Sequence, residues 1–409
     1  MSRHSLNVLA ITSEPPWPLT SGGHIRTFHL LKTIAASTRL RLVCPVQPHQ
    51  IDSLDPIRAA GIDVRPAMVA ARRPETELRR FAQGAVRREP YVMYRRHAWP
   101  EAAGVWQREI ETARPDVLYF DHLDSFVYRS WTGRAPSLPS VIDLHNVYSL
   151  LVRRAGSDQR SWLKRGFLLH QARLLERMEH QAANACDAVL AVSDTEVNHF
   201  RSLGATSVVS VPNGVDCSAL EDLPEGRTGP PIIAFLGTMS WGPNATAARF
   251  LAIEALPAVR QRIPDARLLI LGRDPPRDVQ DLASTPGVTV TGTVPDVRPY
   301  LLEATVMAVP LEAGGGTRLK ILEAFAAGLP VVSTAIGAEG IAAEPGTEFV
   351  MSERANFAEA LAWLLTNREA GTKIARAARA LAKAQYDWRR IGALATDAVT
   401  SVAASRNLV

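Results

Sequence analysis

Most of the residues suited to chemistry lie in one segment, Glu312–Thr334, which reads EAGGGTRLKILEAFAAGLPVVST. Its three consecutive glycines let the backbone approach a ligand, because no Cβ stands in the way. Arg318 and Lys320 follow at once, at the start of a predicted helix whose unpaired N–H groups and positive dipole end suit an anion. Glu323 lies one turn further along, where a carboxylate can accept hydrogen bonds from two neighbouring hydroxyls. A helix start suited to a phosphate, two cations and a carboxylate that can bind a diol together indicate a nucleotide-sugar site.

The helix in this segment is predicted over Arg318–Ala327, with Gly328 as the residue that ends it. Its apolar face, at 3.6-residue spacing, consists of Leu319, Leu322 and Ala326. A purely structural interpretation also stays open. Glycine-rich turns before helices are common, and Lys320 with Glu323 has the i,i+3 spacing of a surface ion pair.

The length of 409 residues suits two or three domains. The net charge of +5 fits phosphate-bearing substrates or an anionic membrane surface. Three cysteines far apart in sequence, without a CxxC pattern, argue against a disulfide framework and a zinc site. The sequence shows no signal peptide and no apolar run of about 18 residues. We therefore expect a cytoplasmic protein, with peripheral contact at the inner face of the membrane as its one route to a bilayer.

Short apolar runs alternate with amphipathic segments along the chain, which predicts parallel βαβ units and an α/β fold. The predicted strands are Asn7–Thr12, Leu40–Val46, Val117–Phe120, Ser140–Asp143, Ala188–Val192, Ser207–Val211, Ile232–Leu236, Arg267–Leu271, Val288–Val290, Thr305–Val309, Pro330–Ser333 and Glu348–Met351. A Pro- and Gly-rich stretch at 212–230 is typical of a linker. We expect two doubly wound Rossmann-like domains facing a cleft, at 1–211 and 231–387. A C-terminal helix at 388–409 would pack back towards the first domain.

The motifs occur in an order that resembles the retaining GT-B glycosyltransferases of family 4, closest to bacterial transferases of exopolysaccharide and cell-surface glycan assembly. They are GGHIR at 22–26, DLHN at 143–146, VPNGVD at 211–216, GTMSWGPN at 237–244, TGTVPDVRPYL at 291–301 and GGGTRLKILEAFAAGLPVVST at 314–334. The resemblance covers almost the whole chain. It implies transfer of a sugar from a nucleotide diphosphate to an acceptor hydroxyl, with retention of the anomeric configuration.

The family carries two glutamates with seven residues between them, and this chain keeps only the second. Glu323 falls on the glutamate that meets the ribose of the donor. The first glutamate falls on Gly315, so the resemblance implies that Gly315, Gly316 and Thr317 contact the sugar or phosphate through backbone N–H groups. The TGTV motif adds Val294 to the donor site.

The loop after Gly237 departs from the family as well. Many members place an arginine and a lysine there to hold the diphosphate, whereas this loop, from Thr238 to Asn244, has no cation. Lys320 and Arg318 are the candidates to replace them. Lys320 ranks first because it is on the same side of the predicted helix as Glu323.

In the first half, the resemblance assigns Gly22 and Gly23 to the donor and His122 to a position near the donor sugar. The glycine pair also fits a plain strand-to-helix turn. We expect acceptor binding from Arg26, His145 and Asn146. For Arg26 a solvated helix face is an equal alternative, and Asn146 also suits a helix cap.

The resemblance implies front-face attack, in which the leaving phosphate accepts the proton of the acceptor. Stabilising that phosphate with a helix start and cations is preorganised electrostatic catalysis. We expect no cofactor and no metal ion. Asp121 and Asp124 are the one candidate pair of metal ligands, and they also suit the role of orienting His122.

Arginines recur over Arg72–Arg96, and aromatic residues from Phe81 to Trp99 are interleaved with them. This segment suits a phosphate-bearing lipid acceptor or an anionic bilayer. A solvated, arginine-rich helix pair is the alternative. Nucleic acid is not expected as a partner, because no recognised binding module accompanies the charge.

Two rival functions remain open on the sequence. A nucleotide-sugar epimerase of the same fold would convert the donor without an acceptor. A degenerate member would bind sugar nucleotide as a partner subunit without catalysis. For a transferase, UDP-sugar is the first expectation and GDP-sugar the second, with a glycan, a glycolipid or a small molecule as acceptor.

Overall fold

The computed structural model describes residues 6–131, 138–157, 159–225, 227, 229–313 and 318–406. The chain divides into two compact units. Unit one consists of the residues up to Pro212 together with those from Arg389 onward, and unit two is Asn213–Trp388. Each unit contains its own parallel sheet with helices around it.

The sheet of unit one has seven strands in the order β3-β2-β1-β4-β5-β6-β7. All of its neighbouring strands pair in parallel. The strands are β1 (Asn7–Ile11), β2 (Arg39–Val46), β3 (Asp63–Met68), β4 (Val117–Asp121), β5 (Ser140–Leu144), β6 (Ala188–Ala191) and β7 (Val208–Ser210). Every residue of β4, β5 and β6 is buried, as expected for strands covered on both faces of the sheet.

The helices of unit one are α1 (Gly22–Ser37), α2 (Leu54–Ala59), α3 (Pro74–Arg87), α4 (Pro100–Ala113), α5 (His122–Ser125), α6 (Tyr148–Ser157), α7 (Trp162–Ala185), α8 (Asp194–Ser202) and, after the whole of unit two, α16 (Trp388–Arg406). Short 3-10 turns lie at Pro48–Ser53, Arg95–His97 and Phe126–Trp131. The Oγ of Ser21 caps α1 by accepting a hydrogen bond from the His24 amide.

The sheet of unit two has six strands in the order β10-β9-β8-β11-β12-β13, again paired in parallel. They are β8 (Ile232–Leu236), β9 (Arg267–Leu271), β10 (Val288–Val290), β11 (Val306–Val309), β12 (Val331–Ser333) and β13 (Val350–Met351). The helices are α9 (Gly242–Phe250), α10 (Leu256–Arg262), α11 (Arg277–Gln280), α12 (Arg298–Glu303), α13 (Leu319–Ala326), α14 (Phe357–Thr366) and α15 (Arg368–Leu381), with single π turns at Leu251–Ala255 and Ala382–Tyr386.

The predicted α/β fold is confirmed, and each predicted strand is present within two residues of its expected bounds. The sequence analysis missed β3. Its sequence, DVRPAM, contains an arginine and a proline, and it forms the edge of the sheet, where proline is tolerated and one row of backbone groups stays unpaired.

The C-terminal helix α16 packs within unit one. Ile391, Ala395 and Val399 are buried along one side of it. A Cβ on Gly392 would lie only 2.2 Å from Oγ1 of Thr33 on α1, so the two helices approach as closely as a glycine allows. None of the helices in the described part of the chain has the length and apolar character to cross a membrane.

Candidate active site

Lys320 lies at the carboxyl edge of the sheet in unit two, in the first turn of α13. Its Nζ donates a hydrogen bond of 2.7 Å to Oδ1 of Asn244 and lies 4.5 Å from the centre of the Phe235 ring. Asn244 in turn donates from Nδ2 to the carbonyl of Thr238, at 2.9 Å. The ammonium group is therefore held against the loop that follows β8, where parallel sheets bind their ligands.

Two glycines let the loops of this edge come together. A Cβ on Gly237 would lie 2.6 Å from Nδ2 of Asn244 and 3.0 Å from Nζ of Lys320. A Cβ on Gly272, at the end of β9, would lie 1.7 Å from the carbonyl oxygen of Gly237. A side chain at position 272 would collide with the backbone of Gly237 and push the two loops apart, so that position requires glycine. A side chain at position 237 would instead displace the side chains of Asn244 and Lys320.

The contact between these loops adds a cation that the sequence analysis missed. Arg273 follows Gly272, and its Nε lies 3.4 Å from Oγ1 of Thr238. The backbone also joins the loops, because the Met239 amide donates to the carbonyl of Arg273 at 2.9 Å. The loop after Gly237 lacks a cation of its own, but Arg273 supplies one from the neighbouring strand.

Lys320 and Glu323 are half-buried and lie one helical turn apart. Burial and the positive charge of Arg318 together lower the pKa of Lys320 to about 7, against the opposing effect of Glu323. Burial raises the pKa of Glu323 to about 7, against the opposing effect of Lys320. Strongly shifted pKa values of this kind are typical of functional sites. Both groups therefore titrate near pH 7, and binding of an anion would favour the charged form of Lys320.

Arg318 is buried in front of α13 rather than directed into open solvent. Nε and Nη2 donate to the carbonyl of Ile336 at 3.3 and 3.2 Å, and Nη2 lies 3.7 Å from a carboxylate oxygen of Glu339. Val294 is half-buried in the loop after β10. Gly315, Gly316 and Thr317 lie outside the described residues, so their predicted contacts remain predictions.

Two histidines of unit one meet beside the glycine pair at the start of α1. A Cβ on Gly23 would lie 3.7 Å from Nε2 of His122 and 3.9 Å from Nδ1 of His145. The centres of the two imidazole rings are 3.6 Å apart. His122 has a φ of +71°, an uncommon backbone conformation for a residue with a side chain, and such strain concentrates at functional sites. The structure therefore brings Gly23, His122 and His145 together at the start of α1, and the roles that the sequence analysis gave them stay predictions.

The expectation for Arg26 needs correction. Its side chain is 1% exposed, so it lies neither on a solvated helix face nor in a position to bind an acceptor. Nε and Nη2 bind the carboxylate of Asp143 at 2.9 and 2.6 Å, and Nη1 donates to the carbonyl of Val211 at 2.7 Å. The physical reason is that α1 packs on the sheet with Arg26 facing the end of β5, where a buried carboxylate needs a partner.

Two buried carboxylates hold His145 in its charged form. Its Nε2 lies 3.2 Å from Asp121 and 3.0 Å from Asp143, and Thr27 donates its hydroxyl to Asp121. These carboxylates raise the pKa of His145 to about 9, although burial opposes them. The pKa of Asp143 falls well below its ordinary value because of Arg26 and His145. Burial and the charge of His145 lower the pKa of His122, which therefore stays neutral.

Asp121, Asp143 and His145 are close enough together to share a metal ion. The donor set does not favour one, because Arg26 already binds both oxygens of Asp143. Asp124, the other ligand candidate, is buried, and its pKa is raised to about 7 by burial. We therefore interpret the cluster as a buried ion network that orients His145.

Sequence reasoning missed Tyr148, Asp143 and Glu179 in this region. The Tyr148 hydroxyl contacts Nδ1 of His122, and the two rings are stacked. Glu179, fully buried on α7, accepts a hydrogen bond of 3.0 Å from the Ser149 amide at the start of α6. Asn146 is half-buried just before α6. One signal was available in the sequence: Asp143 ends one predicted strand, and Asp121 directly follows another. In the structure the two are register partners.

Comparison with known proteins bears on both units. A family model described as glycosyltransferase family 4 matches residues 57–219, and one described as glycosyl transferases group 1 matches residues 230–367. The chain is a GT-B glycosyltransferase. Phosphatidyl-myo-inositol mannosyltransferase of Mycobacterium leprae is 25% identical to this glycosyltransferase over 401 residues, which cover 91% of this chain and 99% of that protein.

Solved structures share the fold of this glycosyltransferase. Sucrose-phosphate synthase from Thermosynechococcus elongatus has a TM-score of 0.71 at 17% identity, covering 98% of this chain and all of that one. Anabaena HepE in complex with UDP-glucose has a TM-score of 0.66 at 14% identity, covering 97% of this chain and all of that one. These likenesses confirm the predicted GT-B architecture.

Proposed function

We propose that the protein is a retaining glycosyltransferase that moves a sugar from a nucleotide diphosphate to a hydroxyl of a glycan, a glycolipid or a small molecule, without a metal ion. One observation carries the proposal. The ammonium group of Lys320 is fixed beside the bare Cα of Gly237, and the carboxyl group of Glu323 follows one turn further along the helix.

In unit two the proposed roles follow from charge and position. Glu323 accepts hydrogen bonds from the two ribose hydroxyls of the donor. Lys320 neutralises the negative charge that grows on the diphosphate as the anomeric bond breaks, with Arg273 and the start of α13 beside it. Arg318 holds the turn at Ile336 and adds positive charge. Donors fixed in advance stabilise a developing charge without further reorganisation, which makes this electrostatic contribution large.

In unit one His122 and the glycine pair at the start of α1 are proposed to contact the reacting sugar and its acceptor. A neutral His122 can accept or donate one hydrogen bond to a sugar hydroxyl, and Tyr148 fixes its other nitrogen. In the proposed reaction the acceptor oxygen forms the new bond to the anomeric carbon on the face from which the phosphate departs. The leaving phosphate takes the proton of the acceptor hydroxyl.

UDP-sugar remains the first candidate donor and GDP-sugar the second. The HepE structure with UDP-glucose supports the first at the level of the fold alone. The name of the mycobacterial relative, a phosphatidyl-myo-inositol mannosyltransferase, supports a lipid acceptor. A cytoplasmic location remains part of the proposal.

A panel of UDP- and GDP-sugars tests the proposal when each is incubated with and without candidate acceptors. We expect release of free nucleotide that depends on an acceptor, and a product with the anomeric configuration of the donor by NMR. Conversion of the donor sugar without an acceptor would identify an epimerase instead. Nucleotide binding without turnover under any condition would identify a degenerate binding subunit, and an inverted product would refute retention.

A further inference from the structure

Helix α3 of unit one has its apolar face towards solvent. Leu78, Ala82 and Ala85, at i, i+4 and i+7, are all exposed, and Leu78 is 69% accessible. The opposite face turns inward although it is charged. Arg80 on that face pairs with Glu77 at 2.6 Å and lies over the ring of Trp99, 4.1 Å from its centre. An amphipathic helix normally buries its apolar stripe, so this reversal indicates a partner outside the unit.

The start of α7 continues the same surface. Its first six residues are exposed, among them Trp162 at 79% and Leu163 at 63%. The ring of Phe167 lies 6.1 Å from that of Phe81 on α3, which joins the two helices. Val86, 85% exposed near the end of α3, extends the surface. We call this surface, formed by α3 and the first turns of α7, the α3–α7 face.

Cations surround the α3–α7 face. Arg79, Arg87 and Arg88 are exposed on and after α3, and Lys164 and Arg165 are exposed at the start of α7. The acids nearby are fewer: Glu75 is exposed in the first turn of α3, whereas Glu77 and Glu89 are paired with arginines. The structure thus reduces the number of arginines in Arg72–Arg96 that could contact a lipid phosphate or an anionic bilayer. Arg80 and Arg95 of that segment are buried, so they belong to the interior rather than to any binding surface.

We propose that the α3–α7 face is a docking surface for an anionic lipid bilayer. Helix α3 would lie in the plane of the interface with its apolar residues below the headgroups. Trp162 would sit at headgroup level, where its amphipathic ring is favoured, and the surrounding cations would contact lipid phosphates.

Charge complementarity selects the bilayer over a second copy of the chain. A symmetric dimer through this face would place the same cations of both copies opposite one another, with few acids to offset them. An anionic bilayer offers an apolar layer below a negatively charged surface, which matches both parts of the face. This inference does not depend on the proposed reaction.

Vesicle flotation tests it with the full-length protein. Vesicles of phosphatidylcholine alone are compared with vesicles that also contain phosphatidylglycerol. We expect binding to the anionic vesicles, weakening as salt is raised. Changing Lys164→Gln and Arg165→Gln together should weaken partitioning roughly 25-fold, about fivefold for each cation. Trp162→Ala should weaken it by about tenfold, since a large apolar surface is lost.

Matched variants in other regions serve as controls. Trp363→Ala removes a partly exposed tryptophan of unit two, and Lys373→Gln with Arg390→Gln removes two exposed cations. These should bind like the wild type. Absence of binding to anionic vesicles, or equal loss in the control variants, would overturn the proposal. So would dimerisation in sedimentation velocity that Trp162→Ala abolishes without any vesicle binding. If Trp162→Ala fails to fold, the double charge variant alone decides.

Discussion

In the proposed donor site, Lys320 for the diphosphate and Glu323 for the ribose lie one helical turn apart on α13. Each has a pKa of about 7 because burial disfavours its charged form. At neutral pH each side chain is therefore only partly charged, and a bound ligand of suitable charge or hydrogen-bonding groups would favour its charged form. Binding of a diphosphate and a diol would therefore complete the charges of the two side chains at the same time.

The Glu323→Ala variant should bind UDP at least about tenfold more weakly than the wild type. The lost contacts are hydrogen bonds to a charged group, worth roughly 1.5–3 kcal/mol each. Isothermal titration calorimetry with UDP alone measures the change, and Glu359→Ala, at an exposed acid of the same unit, is the control. Unchanged UDP affinity in a folded Glu323→Ala protein would remove Glu323 from the site.

The sequence predicted Lys320 and Glu323 because both belong to one short helix with a regular period. It did not predict Asn244 as the partner of Lys320, because 76 residues separate them in the chain. Arg273 was missed for the same reason: only the contact between Gly237 and Gly272 brings it to Thr238. Contacts across neighbouring strands depend on register, which composition and periodicity do not determine.

At the scale of elements, the ends of β4 and β5 carry a buried network of two acids, an arginine and a histidine. The strands were predictable from their apolar runs, and their parallel pairing followed from the βαβ pattern. How closely α1 packs against the ends of β4 and β5 was not predictable from the sequence. Because of this packing, Arg26 is buried and binds Asp143 and does not lie at the surface. The same network holds His145 charged beside a neutral His122.

The His145→Gln variant should reveal this charge as a dependence of stability on pH. The pKa of His145 is about 9 in the folded chain against an ordinary 6.5, so its charge stabilises the fold fully below about pH 6.5. The stabilisation is lost as the pH rises through about 9. The difference in unfolding free energy between wild type and variant should shrink by about 3 kcal/mol over that range.

Urea denaturation at a series of pH values measures the effect of His145→Gln. His170→Gln, at an exposed histidine of α7 outside the buried network, is the control for removing a histidine. If the difference in unfolding free energy between the wild type and His145→Gln did not change with pH, His145 would not be charged in the folded state.

At the scale of the whole molecule, unit one is completed by a helix that the chain adds only after unit two. Ile391, Ala395 and Val399 of α16 are buried, and Gly392 meets Thr33 on α1. The sequence predicted that this tail is helical. It did not predict the contact between Gly392 and Thr33, since a glycine in a helix indicates no particular neighbour until the packing is known.

The Gly392→Ala variant should destabilise the protein by about 1–3 kcal/mol, the usual cost of overpacking. The added Cβ would lie 2.4 Å from Cβ of Thr33, an atom fixed to the backbone of α1. Gly104→Ala, within α4 of the same unit, meets only an ordinary contact and should be neutral or stabilising, because alanine favours helices. Thermal unfolding by circular dichroism compares the two, and equal stability would contradict the close packing of α16.

The central claim is that Lys320, with the start of its helix, neutralises the leaving diphosphate in place of a metal ion. The most direct test is the rate of acceptor-dependent sugar transfer in the presence of EDTA, for the wild type, Lys320→Ala and the control Lys373→Ala at an exposed lysine of α15. We predict that EDTA leaves the wild-type and control rates unchanged, and that Lys320→Ala lowers turnover by about two to three orders of magnitude, more steeply than donor affinity. A wild-type rate that EDTA abolishes and Mg²⁺ or Mn²⁺ restores would contradict the claim.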